Sequence, residues 1–205
     1  MPSLYGRGLK RSILAATLLA WILAAPAAAG EPWLGAGIKE FAAAGGFSSS
    51  HDISGTATGI TAMHILPHYG WFVTNPGGPR WVPRWLHGSL ELIAEPTYLK
   101  INRDESTNFV GPTAVARWVF GVGGRIRPYV EAGVGALVGE SGTIQTNCDL
   151  NFSLQVGTGV LLFWSERSAV TVGYRLHHLS NGNLCEGNRG LNSALFILGI
   201  SSFFP

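Results

Sequence analysis

His178 and Ser180 stand two residues apart in the segment Leu176-His-His-Leu-Ser-Asn-Gly-Asn-Leu-Cys-Glu-Gly-Asn-Arg-Gly-Leu-Asn192. In a β-strand, residues i and i+2 project from one face, with Cα atoms roughly 6.6 Å apart. A serine hydroxyl and an imidazole set that way can share a hydrogen bond, the minimum apparatus for an activated nucleophile. If the chain reverses over 181–191, antiparallel pairing brings Asn192 beside His178. An asparagine carbonyl there can hold the imidazole in the tautomer that leaves Nε2 free as a base. Asn181 and the backbone N–H of Gly182 adjoin the hydroxyl, where donors would be needed for an oxyanion. The bland alternative is a polar strand end, so the face these residues occupy decides between the two.

The whole chain bounds that answer. Arg7, Lys10 and Arg11, the apolar run Ile13 to Ala25 and the small residues Ala27-Ala28-Ala29 read as a secretory signal over 1–29, leaving a single domain over 30–205. The signal takes three of the 14 basic residues and none of the 12 acidic ones, leaving 11 against 12. With no basic patch on the remaining domain, nucleic acid is not an expected partner. The chain is 46% hydrophobic and only 13% charged, against about 25% charged in a typical soluble domain. No later run is long and apolar enough for a membrane helix. Few charges without such a helix point to a membrane β-barrel.

Alternation supports this. Eight segments read as strands: 33–42, 58–73, 86–99, 109–120, 127–139, 152–164, 169–180 and 192–204. Repeats of about ten alternating residues separated by turns are the signature of an outer-membrane barrel. In 109–120, Val110, Ala114, Ala116, Trp118 and Phe120 oppose Thr113 and Arg117; in 152–164, Phe152, Leu154, Val156, Val160, Leu162 and Trp164 oppose Ser153 and Gln155. Glu91, Glu95, Arg117, Glu131 and Arg175 fall on the polar faces, singly and with mixed sign. That suits a narrow lumen in which they pair, because an isolated buried charge is costly. Connections 121–125 and 164–168 are short, while those near 44–57, 100–108, 140–151 and 181–191 are longer and polar. Short turns lie on the periplasmic side and longer loops outside, which puts both termini in the periplasm. The expected fold is an all-β, eight-stranded antiparallel transmembrane barrel.

Segment 169–180 then becomes decisive. Val170, Val172, Tyr174, Leu176, His178 and Ser180 share one face, and Asn192 shares the next strand's face with Ala194, Phe196, Leu198 and Ile200. The polar trio thus extends the lipid-facing rows at the external end. Polar groups on that face are destabilising in a depth-dependent way. Chemistry on a lipid ester is the functional reason to keep them, with Ser180 attacking the carbonyl while His178 removes its proton.

The pattern Arg175-x-x-His178-x-Ser180-Asn181, followed by Asn188-x-Gly190-x-Asn192, closely resembles the motif of the lipid A deacylases of the PagL type. The resemblance implies an eight-stranded outer-membrane barrel that removes the acyl chain ester-linked at the 3-position of lipid A, without a metal or other cofactor. It implies His178 as catalytic histidine, Ser180 as nucleophile, and Asn181 and Gly182 as oxyanion positions. Its best-known members carry Glu where this chain has Asn192, which can orient imidazole but supplies no negative charge; Glu186 is the nearby carboxylate. The expected partners are lipid A or lipopolysaccharide of the outer leaflet and the membrane itself, with a homodimer as the assembly left open. The competing readings are an outer-membrane phospholipase and a non-catalytic barrel serving adhesion or envelope integrity.

The remaining candidates read as structural. His64 and His68 fall on the inner face rather than in a metal site, and His177 points inward. His51-Asp52 and Asp104-Glu105 read as solvated loop residues. Cys148 and Cys185 fall in two loops of one end, where a disulfide would restrain the turn beside Ser180.

Overall fold

The computed structural model describes residues 33–51, 59–102, 107–121, 123–139 and 148–205. The signal expected over 1–29 lies outside them, as do Asp52, Asp104 and Glu105. The described strands are β1 (Lys39–Ser50), β2 (Thr61–Ile65), β3 (His68–Phe72), β4 (Gly88–Asn102), β5 (Thr107–Phe120), β6 (Ile126–Gly139), β7 (Leu150–Ser165), β8 (Ser168–Ser180) and β9 (Leu191–Phe204). All neighbours pair antiparallel, and β1 pairs with β9 to close the sheet. β2 and β3 are two halves of one stave, both paired to β1 and β4. Pro67, in the two-residue gap, has no N–H to give the ladder. The protein is a closed eight-stranded antiparallel barrel, and closure leaves no sheet edge unpaired in the membrane.

The first strand departs from the sequence reading. Instead of 33–42, it runs Lys39–Ser50, taking in residues expected to be loop. Gly37, at φ +92°, turns the chain before it. Ala42-Ala43-Ala44-Gly45-Gly46 shows no hydrophobic alternation, yet it pairs residue by residue with Ser201 back to Ile197 of β9. The partner strand, not the local pattern, makes it a strand. At the terminal end, the link from Phe72 to Gly88 is long for a turn between paired strands. It is held to the wall by Trp118, whose Nε1–H donates to the Leu86 carbonyl at 3.2 Å.

Inside, three layers fill the lumen. Ile60, Leu99, Ile101, Phe109, Leu137 and Leu179 form an apolar plug toward the loop end, and Phe72, Val119, Leu161, Phe163 and Phe203 form another toward the termini. The central layer is ionic. Arg117 contacts Glu40 at 3.0 Å, Glu91 at 3.3 Å and Glu131 at 3.0 Å; Arg175 contacts Glu131 at 2.5 Å and Glu95 at 2.7 Å. The five expected lumen charges therefore do pair, with Glu40 as a further member. Glycines make room for them: a Cβ on Gly157 would sit 2.8 Å from Arg175 Cγ, and one on Gly159 would strike the Tyr129 hydroxyl. The barrel is a packed solid, not a pore, as expected at this strand number.

Candidate active site

The outer wall at the loop end carries the residues singled out in the sequence. β8 alternates strictly, with Arg175, His177 and Leu179 buried and Leu176, His178 and Ser180 on the outside. The β8–β9 register sets His178 directly opposite Asn192. Their side chains meet, His178 Nδ1 lying 2.7 Å from Asn192 Oδ1. With the amide oxygen facing the ring, Nδ1 carries the proton and donates, so Nε2 keeps its lone pair. Ser180 lies two residues further along the same face, half-buried, opposite Phe152 of β7. Glu186 is exposed in the turn, and the ring's partner is Asn192.

The turn between β8 and β9 is built around Asn181, which is fully buried although most of its neighbours are exposed. Its N–H donates to Asn188 Oδ1 at 3.1 Å, its Nδ2 to the Cys185 carbonyl at 3.2 Å, and its Oδ1 accepts the Asn183 N–H at 2.8 Å. Asn188 in turn donates from Nδ2 to Asn183 Oδ1 at 3.0 Å. Asn181 therefore organises the turn with both ends of its amide. Gly182, at φ +61°, lays its backbone over the Phe152 ring. Cys148 and Cys185 are joined in a disulfide across this end.

Two further residues belong to the site. Gly190 has φ +67°, and a Cβ there would sit 3.2 Å from His178 Cε1, 3.3 Å from the Leu179 carbonyl oxygen and 3.6 Å from Ser180 Cβ. Only glycine combines that backbone with so close an approach. His51 is a correction to the reading as a solvated loop residue. Its N–H donates to the Asn192 carbonyl at 3.0 Å, and its side chain lines a cavity of about 190 Å³ with Leu154, Val156, Leu176, His178 and Asn192. Nothing near His51 in the sequence signals this, because the β1–β9 closure brings it there.

His177 tests the alternative. Its Nε2 is 2.8 Å from Ser153 Oγ, and His64 Nε2 is likewise 2.9 Å from Ser48 Oγ. Both pairs are buried in the lumen beyond the reach of a lipid ester, as the inner-face reading expected. No cluster of metal-ligating side chains occurs among the described residues.

A groove of about 850 Å³ runs across the lipid face beside the small cavity, sharing Leu154 and Val156 with it. Its floor is small, formed by Ala94, Ala114, Ala116 and Ala132, and Tyr69 and Trp71 close its far end. The register explains its course. From His178 one row of outward residues runs through Leu154, Val134, Ala114, Ala94 and Tyr69. Followed on through Phe41 and Ser202, the row re-enters β8 at Ser168, ten residues before His178. A row that returns ten residues lower descends toward the terminal end as it circles. The four strand steps from Leu154 to Tyr69 span about 19 Å.

Comparisons with known proteins agree with this architecture. The family model of the lipid A 3-O-deacylases (PagL) matches residues 68–201. The crystal structure of the outer membrane enzyme PagL is similar with a TM-score of 0.54 at 23% identity, over 78% of this chain and 97% of that one. The crystal structure of Neisserial surface protein A (NspA) is similar with a TM-score of 0.53 at 17% identity, over 82% and 98%. Among curated proteins none matches the chain.

Proposed function

Since the chain belongs to the lipid A 3-O-deacylase (PagL) family, an outer-membrane barrel fold with lipid A as the family's substrate, we propose that it cleaves the 3-O-acyl ester by serine catalysis on its lipid-facing wall. The observation that carries this reading is the His178–Asn192 bond of 2.7 Å, made on the outer face beside Ser180. Asn192 holds Nδ1–H, and His178 Nε2 takes the proton from Ser180 Oγ as that oxygen attacks the acyl carbonyl. The tetrahedral intermediate places a negative charge next to the turn. The N–H of Gly182, aimed by the bonds of Asn181, stabilises that oxyanion. Collapse breaks the bond to the sugar oxygen, which leaves with the proton from His178, and the acyl group remains on Ser180. Water then attacks the acyl-enzyme, giving its proton to His178, and the fatty acid departs as Ser180 recovers its hydrogen.

The groove takes the acyl chain. It starts at Leu154, the cross-strand neighbour of His178, runs down the outer wall and has the length of a long saturated chain, so the chain stays in an apolar environment while its ester reaches the site. Transfer of each methylene from water is worth about 0.8 kcal/mol, but from lipid to groove it is worth far less. The groove therefore acts chiefly by positioning.

Mass spectrometry of lipid A from cells making the protein tests the assignment. Loss of one 3-O-linked acyl chain is expected with the wild type, and intact lipid A with Ser180→Ala and with His178→Ala. Deacylation undiminished in Ser180→Ala would remove the serine mechanism, and fatty acid released from phospholipid instead of lipid A would remove the substrate.

A further inference from the structure

We infer that the Cys148–Cys185 disulfide is a positioning element of the catalytic turn, setting the direction of the oxyanion donor in addition to joining two loops; this rests on the roles given above to Ser180 and Gly182. The bond lies in a continuous chain of contacts from the barrel wall to the nucleophile. Asn151, the second residue of β7, is fully buried and donates from Nδ2 to the Cys148 carbonyl at 2.7 Å. Cys148 is bonded to Cys185 in the middle of the β8–β9 turn. The Cys185 carbonyl accepts Asn181 Nδ2 at 3.2 Å, and Asn181 is bonded in sequence to both Ser180 and Gly182.

Most of the turn lies open to solvent. Gly182, Asn183, Leu184, Glu186, Gly187 and Arg189 are exposed, and three of the turn's glycines and Asn183 have positive φ. Exposed polar segments with few buried apolar contacts open at low free-energy cost. The Asn181 side chain bonds to Asn183 and Cys185 of this same turn, and of these Cys185 is the one joined covalently to another part of the barrel. The disulfide ties Cys185 to the start of β7, the strand whose Phe152 lies opposite Ser180 and beneath Gly182. Nucleophile and oxyanion donor are thus referred to one rigid strand. Without the bond, the Cys185 carbonyl moves with the turn, Asn181 loses that anchor, and the Gly182 N–H no longer keeps a fixed direction. The ester and its acyl chain still dock against β3–β7, so the defect falls on the chemical step.

The experiment uses full-length protein in detergent with lipopolysaccharide, comparing wild type, Cys148→Ser with Cys185→Ser, and Ser180→Ala, with barrel integrity read from heat-modifiable gel mobility. Wild-type protein is also reduced with dithiothreitol, which becomes its cyclic disulfide as the protein gains two thiols, and is then reoxidised. The expected result is a kcat lower by tenfold or more in the double variant and the reduced protein, KM within about twofold, and recovery on reoxidation. Unchanged kcat in an intact, reduced barrel would overturn the inference, as would a loss confined to KM or unfolding of the barrel on reduction. Activity persisting in Ser180→Ala would instead overturn the assignment of the nucleophile, so the two failures are distinguishable.

Discussion

Replacing Asn192 by aspartate adds a negative charge at the site with almost no change of shape, which isolates what the missing carboxylate is worth. The amide oxygen of Asn192 already lies 2.7 Å from His178 Nδ1, so a carboxylate oxygen can take its place without moving β8 or β9. In its role as general base His178 gains a positive charge only as it takes the Ser180 proton, so the new charge acts mainly on the transition state. Charge centres roughly 4 Å apart interact by about 4 kcal/mol at an effective dielectric near 20. His178 and Asn192 are half-buried on the outer face, and screening with the cost of desolvating the new carboxylate reduces this to about a third to a half. The remainder, about 1.4–2 kcal/mol, corresponds to a roughly ten- to thirtyfold rise in kcat at one pH. Asn192→Ala should move the other way, losing about 1–2 kcal/mol, because the ring is then free to rotate and to place its proton on Nε2. The assay is initial release of 3-O-linked acyl chain from lipopolysaccharide in detergent, with KM measured separately. Asn192→Ala indistinguishable from wild type would refute the orienting role. Asn192→Asp slower than wild type with an unperturbed barrel would refute the electrostatic argument.

Three other outcomes follow from the geometry. Gly190→Ala forces a non-glycine residue to φ +67°, at about 1–2 kcal/mol, and presses a Cβ on the imidazole; deacylation should fall at least tenfold while heat-modifiable gel mobility still reports a closed barrel. Ala114→Trp fills the groove floor two strands from Leu154 and should cut turnover of long-chain lipopolysaccharide severalfold while hydrolysis of a short-chain p-nitrophenyl ester stays unchanged; an equal loss on both substrates would count against the groove. Glu131→Gln removes a carboxylate that Arg117 and Arg175 share, and breaking such a buried pair costs about 3–5 kcal/mol, to be read as a lower urea midpoint for unfolding from detergent.

The outer and inner faces of this barrel were legible in the sequence because side-chain direction in a strand has a period of two and is fixed locally. Glu91, Glu95, Arg117, Glu131 and Arg175 all lie in the lumen where alternation puts them, and His177 and His178 separate onto opposite faces for the same reason. β1 was misread because its central residues are small and show no alternation; its status as a strand comes from β9, its neighbour across the closure.

The sequence by itself determined the eight-stave pattern, the charged lumen, the lipid-facing spacing of His178 and Ser180, and a reversal long enough to return Asn192 to them. Tertiary structure alone decided the rest. It chose the register that makes Asn192 the partner of His178, brought in His51 from just beyond the first strand, aligned alanines from three strands into one descending groove, and committed Asn181 to the turn. Each of these depends on which residues of different strands stand opposite one another. Pairing between strands is set by barrel closure and packing over the whole sheet, and no local period encodes it.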